Sequence, residues 1–409
     1  ALDDGMYDRN LKVQDTLDVV LDYHDMVDVK SSETGAALEK LVRAGDTTYD
    51  LYSLVQWNGA KYAYQNMFYN MKNAPYVSFE KPWWNYSYMK EMTIGEDKIY
   101  CMVGDVSVDS TRCLSCVYYN KAMYDDYYQD ADGLYDVVLE GDWNLDLLMQ
   151  IAEQVYEDKN GNGKKDFDDL LGYGINNYNN IDAFLFGGSR RCTTRDDKDI
   201  PVISLLTEAN SDAMAKVVKL YNDCPGGFGY GSEYTDDVKM REKFVAGESM
   251  FLFGFFYTAE HMREMEDDYG ILPTPKALAT DETYGTIVHD IIEVMALPVN
   301  AVKVDATCAV LEALAYYGYT DLLPVYYESV LKTKYARDQK SAQMIEIARD
   351  NLVTDIAYVY GDAFNNLGYA PRYIVQQKRE SLTVYYEKGI KAAESNMKKL
   401  VEQFTTMDE

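Results

Sequence analysis

Histidine is scarce in this chain, with only His24, His261 and His289 among 409 residues. Zinc hydrolases and catalytic triads depend on histidine, and the sequence has no HExxH motif and no histidine pair at metal-ligand spacing. A phosphate-binding loop is also absent, because the glycine-rich residues 226–231 lack the Lys and Ser or Thr that such a loop needs. The sequence therefore favours a binding protein over a catalyst.

Basic residues are few, with 39 Lys and Arg against 68 Asp and Glu and a net charge of −29. Such a charge repels the phosphates of nucleic acids and anionic membrane surfaces, which argues against both as partners. The chain has no apolar run of transmembrane length and no signal peptide. It opens on Ala1 rather than Met, from which we expect a processed or trimmed product.

Cysteine is also limited, because six cysteines are too few for a disulfide scaffold in a chain of this size. Cys113 and Cys116 have the spacing of a redox or zinc motif, but they lie in a strand-like run. A redox motif should open a helix, whose dipole lowers the thiol pKa, so we predict that these two are inert. Cys308 lies on the apolar side of a predicted helix and is expected in the core. The sequence leaves open whether Cys192 and Cys224 pair.

Hydrophobic residues make up 47% of the chain, which is enough for two or three domains of this total length. Tyrosine is unusually frequent, with 38 residues against 13 Phe and 4 Trp, and it suits hydroxyl-rich ligands. Helices and strands alternate along the chain, which predicts an α/β fold of parallel sheets flanked by helices. Helices are predicted at residues 7–17, 34–44, 143–156, 211–223, 236–246, 301–317 and 381–404, and strands at residues 18–23, 49–55, 113–119, 249–253 and 293–297.

Residues 158–169 have the spacing of a loop that wraps around a hard cation. Oxygen-bearing side chains occupy the first, third, fifth, ninth and twelfth positions, and Gly163 supplies the turn at the sixth. We predict a structural calcium site, because nothing near it resembles a reaction centre. An ordinary Asn/Gly turn is the alternative, and Asp169 is shorter than the Glu that usually closes such a loop. Millimolar calcium is typical outside cells. The predicted ligands are Asp158, Asn160, Asn162, Lys164, Asp166 and Asp169.

Several local motifs, taken in order, resemble the extracellular solute-binding proteins of bacterial ABC importers, in the group (family 1) whose best-known members bind sugars. They are Tyr7-Asp8-Arg9-Asn10, Tyr49-Asp50-Leu51, Lys81-Pro82-Trp83-Trp84-Asn85, Val103-Gly104-Asp105, Val117-Tyr118-Tyr119-Asn120-Lys121, Gly141-Asp142-Trp143-Asn144, Tyr173-Gly174 and residues 158–169, 244–251, 269–276, 324–327 and 334–338. The ordered set covers residues 7–405 and indicates the family more than the ligand.

The resemblance implies a type II periplasmic-binding-protein fold, in which two α/β lobes joined by a hinge close on a ligand. Lobe one is expected at residues 1–110 plus 283–328, and lobe two at residues 111–282 plus 329–409. The chain would cross between them near residues 107–113, 281–286 and 327–331. The family's first strand normally precedes the helix at Tyr7, so we expect either that it was trimmed or that the first sheet lacks a central member.

The resemblance further implies a monomeric, non-enzymatic protein that captures a mono- or oligosaccharide for a membrane permease. It would be an extracellular lipoprotein, although the anchoring segment is absent from this chain. Aromatic faces with polar groups at their edges suit sugars, which predicts ten ligand-binding residues. For Trp83 and Trp84, and for Phe255 and Phe256, core packing is the alternative. The ten are Trp57, Asn58, Trp83, Trp84, Asp105, Arg190, Tyr230, Phe255, Phe256 and Tyr257.

Three other functions remain open on the sequence. The same fold could bind a peptide or another polar or cationic solute, because acidic groups beside aromatics also attract cations. A secreted glycan-degrading enzyme would need two carboxylates at hydrolase spacing in the cleft. A calcium-dependent adhesin would be consistent with the acidic composition and the cation loop.

Overall fold

The computed structural model describes residues 2–25, 30, 33–328, 339–377 and 381–407. Within them the chain forms helices α1 to α17, in order Leu2–Leu17, Thr34–Arg43, Gln56–Ala63, Tyr86–Glu91, Asp109–Arg112, Lys121–Tyr128, Gly133–Glu140, Leu145–Val155, Asn179–Phe186, Glu208–Val218, Tyr234–Val245, Val304–Tyr317, Leu323–Tyr326, Gln339–Asp350, Ile356–Val359, Ala370–Gln376 and Leu382–Thr406. Strands β1 to β9 are Tyr52–Val55, Ser115–Asn120, Leu171–Asn176, Thr193–Arg195, Pro201–Ile203, Gly227–Tyr230, Ser249–Phe255, Tyr269–Pro273 and Glu293–Ala296.

The first sheet pairs β1 with β9 in antiparallel register, with Tyr52 opposite Ala296 and Val55 opposite Glu293. Met102 extends this sheet by an antiparallel bridge to Met295. As a result β1 and the segment before residue 104 run in the same direction on either side of β9. Both segments therefore end at the same edge, beside the start of β9.

The predicted strand at residues 18–23 is wrong, because these residues form no strand. Strands require a neighbouring ladder, and within the described residues β1 pairs only with β9. The Leu21 backbone N–H instead donates to the Gln14 side chain at 2.9 Å. Val20 is 86% exposed, so its side chain does not pack in the core.

The second sheet has five strands in the order β6-β3-β7-β2-β8. The predicted parallel pairing holds for β3 with its neighbours β6 and β7. It is wrong for β2, which is antiparallel to both β7 and β8. The reason is topological: β2 carries the chain away from the first sheet and β8 carries it back. The sheet is therefore mixed, and the residues after β3, β6 and β7 share one edge.

Helix α8 packs on the second sheet, and local sequence signals determine where it begins and which face it buries. Asn144 caps the helix, since its side-chain oxygen accepts from the N–H groups of Asp146 and Leu147. Six apolar residues on one face of the helix are buried against the sheet. Trp143 precedes the cap, is fully buried and donates its indole N–H to the Pro273 carbonyl at 2.9 Å. The predicted helix at residues 143–156 is confirmed, within two residues at its start.

The two sheets are built from alternating parts of the chain, so the chain must cross between them. β1 and β9 lie within residues 1–110 and 283–328, and all five strands of the second sheet lie within residues 111–282. The two crossing segments contact each other through an antiparallel bridge from Leu114 to Val288. A third segment, residues 351–353, runs beside Thr286. The predicted third crossing at residues 327–331 lies partly, and the motif at 334–338 wholly, outside the described residues. The exact lobe boundaries stay a prediction.

All six cysteines are buried and unpaired, which confirms the core position of Cys308 and leaves Cys192 and Cys224 as separate thiols. Burial raises the pKa of the Cys113 and Cys116 thiols. They are therefore kept from the thiolate form that redox chemistry needs. Across the described part of the chain, no helix combines the length and the apolar character that crossing a bilayer demands.

Candidate ligand-binding cleft

A cavity of about 490 Å³ lies between the first lobe and the carboxyl end of α14. Residues 79–87 form one wall, Gly104 and Asp105 the floor, and Arg349 with Leu352 the opposite wall. It brings together three of the ten predicted ligand residues, Trp83, Trp84 and Asp105. A cavity of this size is within the range of small-molecule sites.

The orientation of both tryptophans in this wall is fixed by Glu312 on α12. Its carboxylate accepts the indole N–H of Trp83 at 3.1 Å and that of Trp84 at 2.9 Å. Trp84 is only 6% exposed and its ring meets Phe79 edge to face, so it belongs largely to the core. Trp83 is partly exposed and packs against Tyr316. Because the indole N–H groups are already used, Trp83 can offer a ligand its ring but no hydrogen bond.

Asp105 joins the two lobes through an ion pair with Arg349. The Arg349 guanidinium donates to the Asp105 carboxylate at 2.8 Å and to the Tyr327 hydroxyl at 3.2 Å. Burial raises the pKa of Asp105 to about 6 even though the Arg349 charge acts in the opposite direction. Because this pKa is still below 7, the ionised form of Asp105 predominates at neutral pH. The pair couples the floor of the cavity to α14.

A second polar group lies on the first crossing, around Arg112. Its guanidinium makes two bonds to the Glu260 carboxylate, at 2.9 and 3.0 Å, and one to Asp109 at 2.8 Å. Glu260 follows β7 in the second lobe, so this cluster also spans the hinge. Partial burial and the neighbouring Asp109 carboxylate raise the pKa of Glu293, at the start of β9. We call Asp109, Arg112, Glu260 and Glu293 the hinge cluster.

Each lobe also carries a partly exposed aromatic side chain at the end of a strand, Trp57 after β1 and Tyr257 after β7. Trp57, in the first turn of α3, is 37% exposed, and its neighbour Gln56 donates its backbone N–H to Ile292 of the second crossing at 2.9 Å. From the second lobe, Tyr257 stacks on Phe255 with ring centres 5.5 Å apart. Trp57 and Tyr257 thus have the partly exposed rings that a sugar-binding surface requires.

The other predicted residues are placed in packing roles. Asn58 is 2% exposed and donates to the Thr34 hydroxyl at 2.9 Å. Phe255 and Phe256 are buried in the second lobe. Tyr230 is buried at the end of β6 with its hydroxyl on Asp237 at 2.9 Å. Tyr230 ends β6, a strand that the sequence did not predict, and Phe255 ends β7 two residues beyond the predicted strand. Their part in ligand binding stays a prediction.

Arg190 forms a buried, two-point ion pair with Asp281. The pair holds the Arg190 guanidinium within the second lobe, near the second crossing. Its role as a ligand contact therefore stays a prediction as well, and the visible function of the pair is to hold residues 278–285 against the end of α9. Gly188 approaches both side chains so closely that a Cβ there would lie 2.3 Å from Asp281.

A further charged group, around Arg372, was not predicted from the sequence. Tyr178 follows β3, is 44% exposed, and lies 3.9 Å from the Arg372 guanidinium of α16. Arg372 also pairs with the buried Asp182 and, at 3.4 Å, with Asp290, three residues before β9. Burial raises the pKa of Asp182 to about 7 against the effect of Arg372. This group joins the segment before β9 to α9 and α16.

The unpredicted residues Arg112, Tyr178, Glu312, Arg349 and Arg372 share one property. Each meets a partner from a distant segment, as the separation of 244 positions between Asp105 and Arg349 illustrates, and Arg112 adds a local pair with Asp109. Four of them are charged residues on helices, which are usually solvated surface residues, and Tyr178 lies between β3 and α9, so no local pattern identifies these five. The position of Arg112 in a predicted crossing is the one available signal.

Solved structures similar to this one are solute-binding proteins. A cyclo/maltodextrin-binding protein complexed with maltotetraose has a TM-score of 0.59 and 12% identity, over 98% of this chain and 93% of that one. The maltose-binding periplasmic protein MalE from Listeria monocytogenes, in complex with maltose, has a TM-score of 0.60 and 14% identity, over 97% and 96%. An ABC transporter solute-binding protein from Thermotoga lettingae bound with alpha-D-tagatose has a TM-score of 0.57 and 14% identity, over 98% and 96%.

No protein-family model and no curated protein matches the sequence. At such low identities the structural likeness establishes the fold, which is the two-lobe α/β fold of these solute-binding proteins. It confirms the fold class that the sequence predicted. The ligand must be argued from the cleft itself.

Proposed function

We propose that this protein is the extracytoplasmic substrate-binding component of an ABC importer and captures a mono- or oligosaccharide between its lobes. The observation that supports this most is the cavity of about 490 Å³ at the junction of the lobes, which is lined by the Trp83 ring and by the charged groups of Asp105 and Arg349. The similar structures hold a tetrasaccharide, a disaccharide and a monosaccharide. The proposal includes a membrane permease as partner, a monomeric state, attachment as a surface lipoprotein and no chemical change to the ligand.

The chemistry of the cleft suits a sugar. A pyranose ring has apolar C–H faces bordered by hydroxyl groups, so it needs aromatic rings for the faces and charged hydrogen-bonding groups for the edges. Trp57, Trp83 and Tyr257 provide partly exposed rings. The Arg112 and Glu260 side chains provide a donor and an acceptor held rigid by their own mutual bonds. Ligands of this fold lie at the carboxyl ends of the strands, where these residues are found.

A panel of ligands compared by melting temperature tests the proposal. Because a ligand that binds only the folded state raises its stability, we expect maltose, maltotetraose or tagatose at 100 times its Kd to stabilise the protein by about 2.7 kcal/mol. Trp57→Ala should reduce this shift without changing the melting temperature of the free protein. The matched control is Tyr76→Ala, which removes an aromatic ring that is 66% exposed and is not among the predicted ligand-binding residues.

Three other outcomes of these experiments would contradict the proposed function and favour a different one. A shift with spermidine or a peptide mixture, and none with any sugar in a broad panel, would contradict the carbohydrate class and favour a cationic or peptide ligand. Release of shorter sugars from maltotetraose would contradict a purely binding role and point to a glycan-degrading enzyme. Binding to a macromolecular partner that a chelator abolishes, without any small-molecule shift, would favour an adhesin.

A further inference from the structure

We propose that residues 158–169 bind a calcium ion that ties the end of α8 to β3. The loop connects these two elements, and its base is closed by an antiparallel bridge between Glu157 and Leu170. This inference is independent of what the cleft binds. It concerns a site far along the chain from the hinge cluster.

The loop already has the local shape that a cation needs. The Asp158 carboxylate accepts from the backbone N–H groups of Gly161 at 2.7 Å and Gly163 at 2.9 Å, and both glycines have positive φ angles of 67° and 70°. The side-chain N–H groups of Asn162 and Asn160 donate to the Asp166 carboxylate at 2.7 and 3.3 Å, and their oxygens accept from the backbone N–H groups of Lys164 and Asn162. The three side chains thus converge inside one tight turn, and the two amides would turn their oxygens inward to bind a cation. Convergence alone is also compatible with a simple Asn/Gly turn.

The observation that distinguishes a cation site is the twelfth residue, Asp169. This side chain is completely buried, and its Oδ1 has no hydrogen-bond partner. Its Oδ2 accepts from the Asp166 backbone N–H at 3.1 Å and from the Tyr156 hydroxyl at 3.3 Å, so the carboxylate faces the loop. A buried carboxylate oxygen without a partner is strongly unfavourable. A cation in the loop would supply the missing interaction.

The donor types favour calcium over other metals. Carboxylate, amide and backbone oxygens are hard ligands, whereas zinc and copper prefer the nitrogen and sulfur donors that this loop lacks. In the described residues no three His, Cys, Asp or Glu side chains are grouped to hold a metal by themselves. The amide oxygens of Asn160 and Asn162 and the backbone carbonyl of Lys164 would therefore have to complete the set. Such a mixed set, closed by the short Asp169, predicts a Kd on the order of 0.1 to 1 mM.

Binding at this loop would be transmitted to the second sheet. Phe167, within the loop, packs edge to face on Phe228 of β6 with ring centres 5.0 Å apart, and it also meets Tyr230 at 5.8 Å. Ordering the loop therefore orders the outer strand of the sheet. The expected consequence is greater stability of the whole second lobe.

Calorimetric titration of calcium and luminescence of bound terbium, excited through nearby tyrosine, test the proposal directly. The wild-type protein should bind both ions, and 2 mM calcium should raise its melting temperature by about 2 °C relative to chelator. Asp158→Ala and the nearly isosteric Asp169→Asn should weaken binding at least about 10-fold, because each removes a charged ligand. Asp168→Ala, an exposed position in the same loop, is the matched control and should bind as the wild type does.

Two results would overturn the proposal. One is a wild-type protein that shows neither calcium heat nor terbium luminescence at 10 mM ion. The other is equal binding by the wild type, Asp158→Ala and Asp169→Asn. Magnesium at the same concentration should give a smaller shift, because this flexible set does not impose the octahedral geometry that magnesium requires.

Discussion

Replacing Trp143 by alanine should lower the free energy of unfolding by about 3–5 kcal/mol, the range measured when large buried aromatic side chains are truncated. Trp143 is completely buried, its ring lies 5.7 Å from that of Phe251 on β7, and its N–H is bonded to Pro273 on β8. The substitution therefore leaves a cavity and an unpaired carbonyl at the centre of the second lobe. Urea denaturation followed by circular dichroism measures the effect.

The same substitution at Trp57 provides the comparison, because that ring is partly exposed. Trp57→Ala should change the free energy of unfolding by less than about 0.5 kcal/mol. Trp143→Phe should give an intermediate loss, since it keeps most of the ring and removes the N–H. A Trp143→Ala protein as stable as the wild type would contradict the packing described for the second lobe.

Replacing Arg112 by alanine should weaken sugar binding about 10- to 100-fold, since one or two hydrogen bonds to a charged group are removed from the cleft. The substitution also separates Glu260 from its partner across the hinge. The Arg112 side chain is 31% exposed and that of Glu260 is 21% exposed, so solvent screens their ion pair. Its loss should therefore lower the free energy of unfolding by no more than about 1 kcal/mol. Calorimetric titration of the sugar that gives the largest thermal shift measures the affinity.

Two variants control this experiment. Arg43→Ala removes the same charge from an exposed pair with Glu39 on α2 and should leave affinity unchanged. Arg112→Lys keeps the charge but loses the two-point geometry, so its affinity should be intermediate. Unchanged affinity in Arg112→Ala would exclude the hinge cluster from the binding surface.

The helices and strands that the sequence predicted well are those with strong local signals. Asn144 and Ser381 are helix caps in the structure, and each stands directly before an amphipathic segment. Residues 249–253 form a strand because a continuous apolar run follows the turn at Gly247, whose φ is 72°. In each case one short stretch of chain contains both the boundary signal and the periodicity.

Residues 18–23 show where local reasoning fails. The segment has strand-like composition, but a strand also needs a partner, and partners are set by the whole fold. The cleft shows the same limit, because some of its residues come from distant parts of the chain. Trp57 could be predicted because it follows a strand and Asp105 because it belongs to a local motif, whereas Glu312 and Arg349 act on the cleft from helices far away in sequence.

A crystal structure grown with the best-stabilising sugar tests the central claim most directly. We predict density for one sugar molecule between the lobes, with a ring face against Trp57, Trp83 or Tyr257 and hydroxyl groups bonded to residues from both sheets. A sugar bound only on the outer surface, or lobes packed together with no space between them, would contradict capture at the hinge.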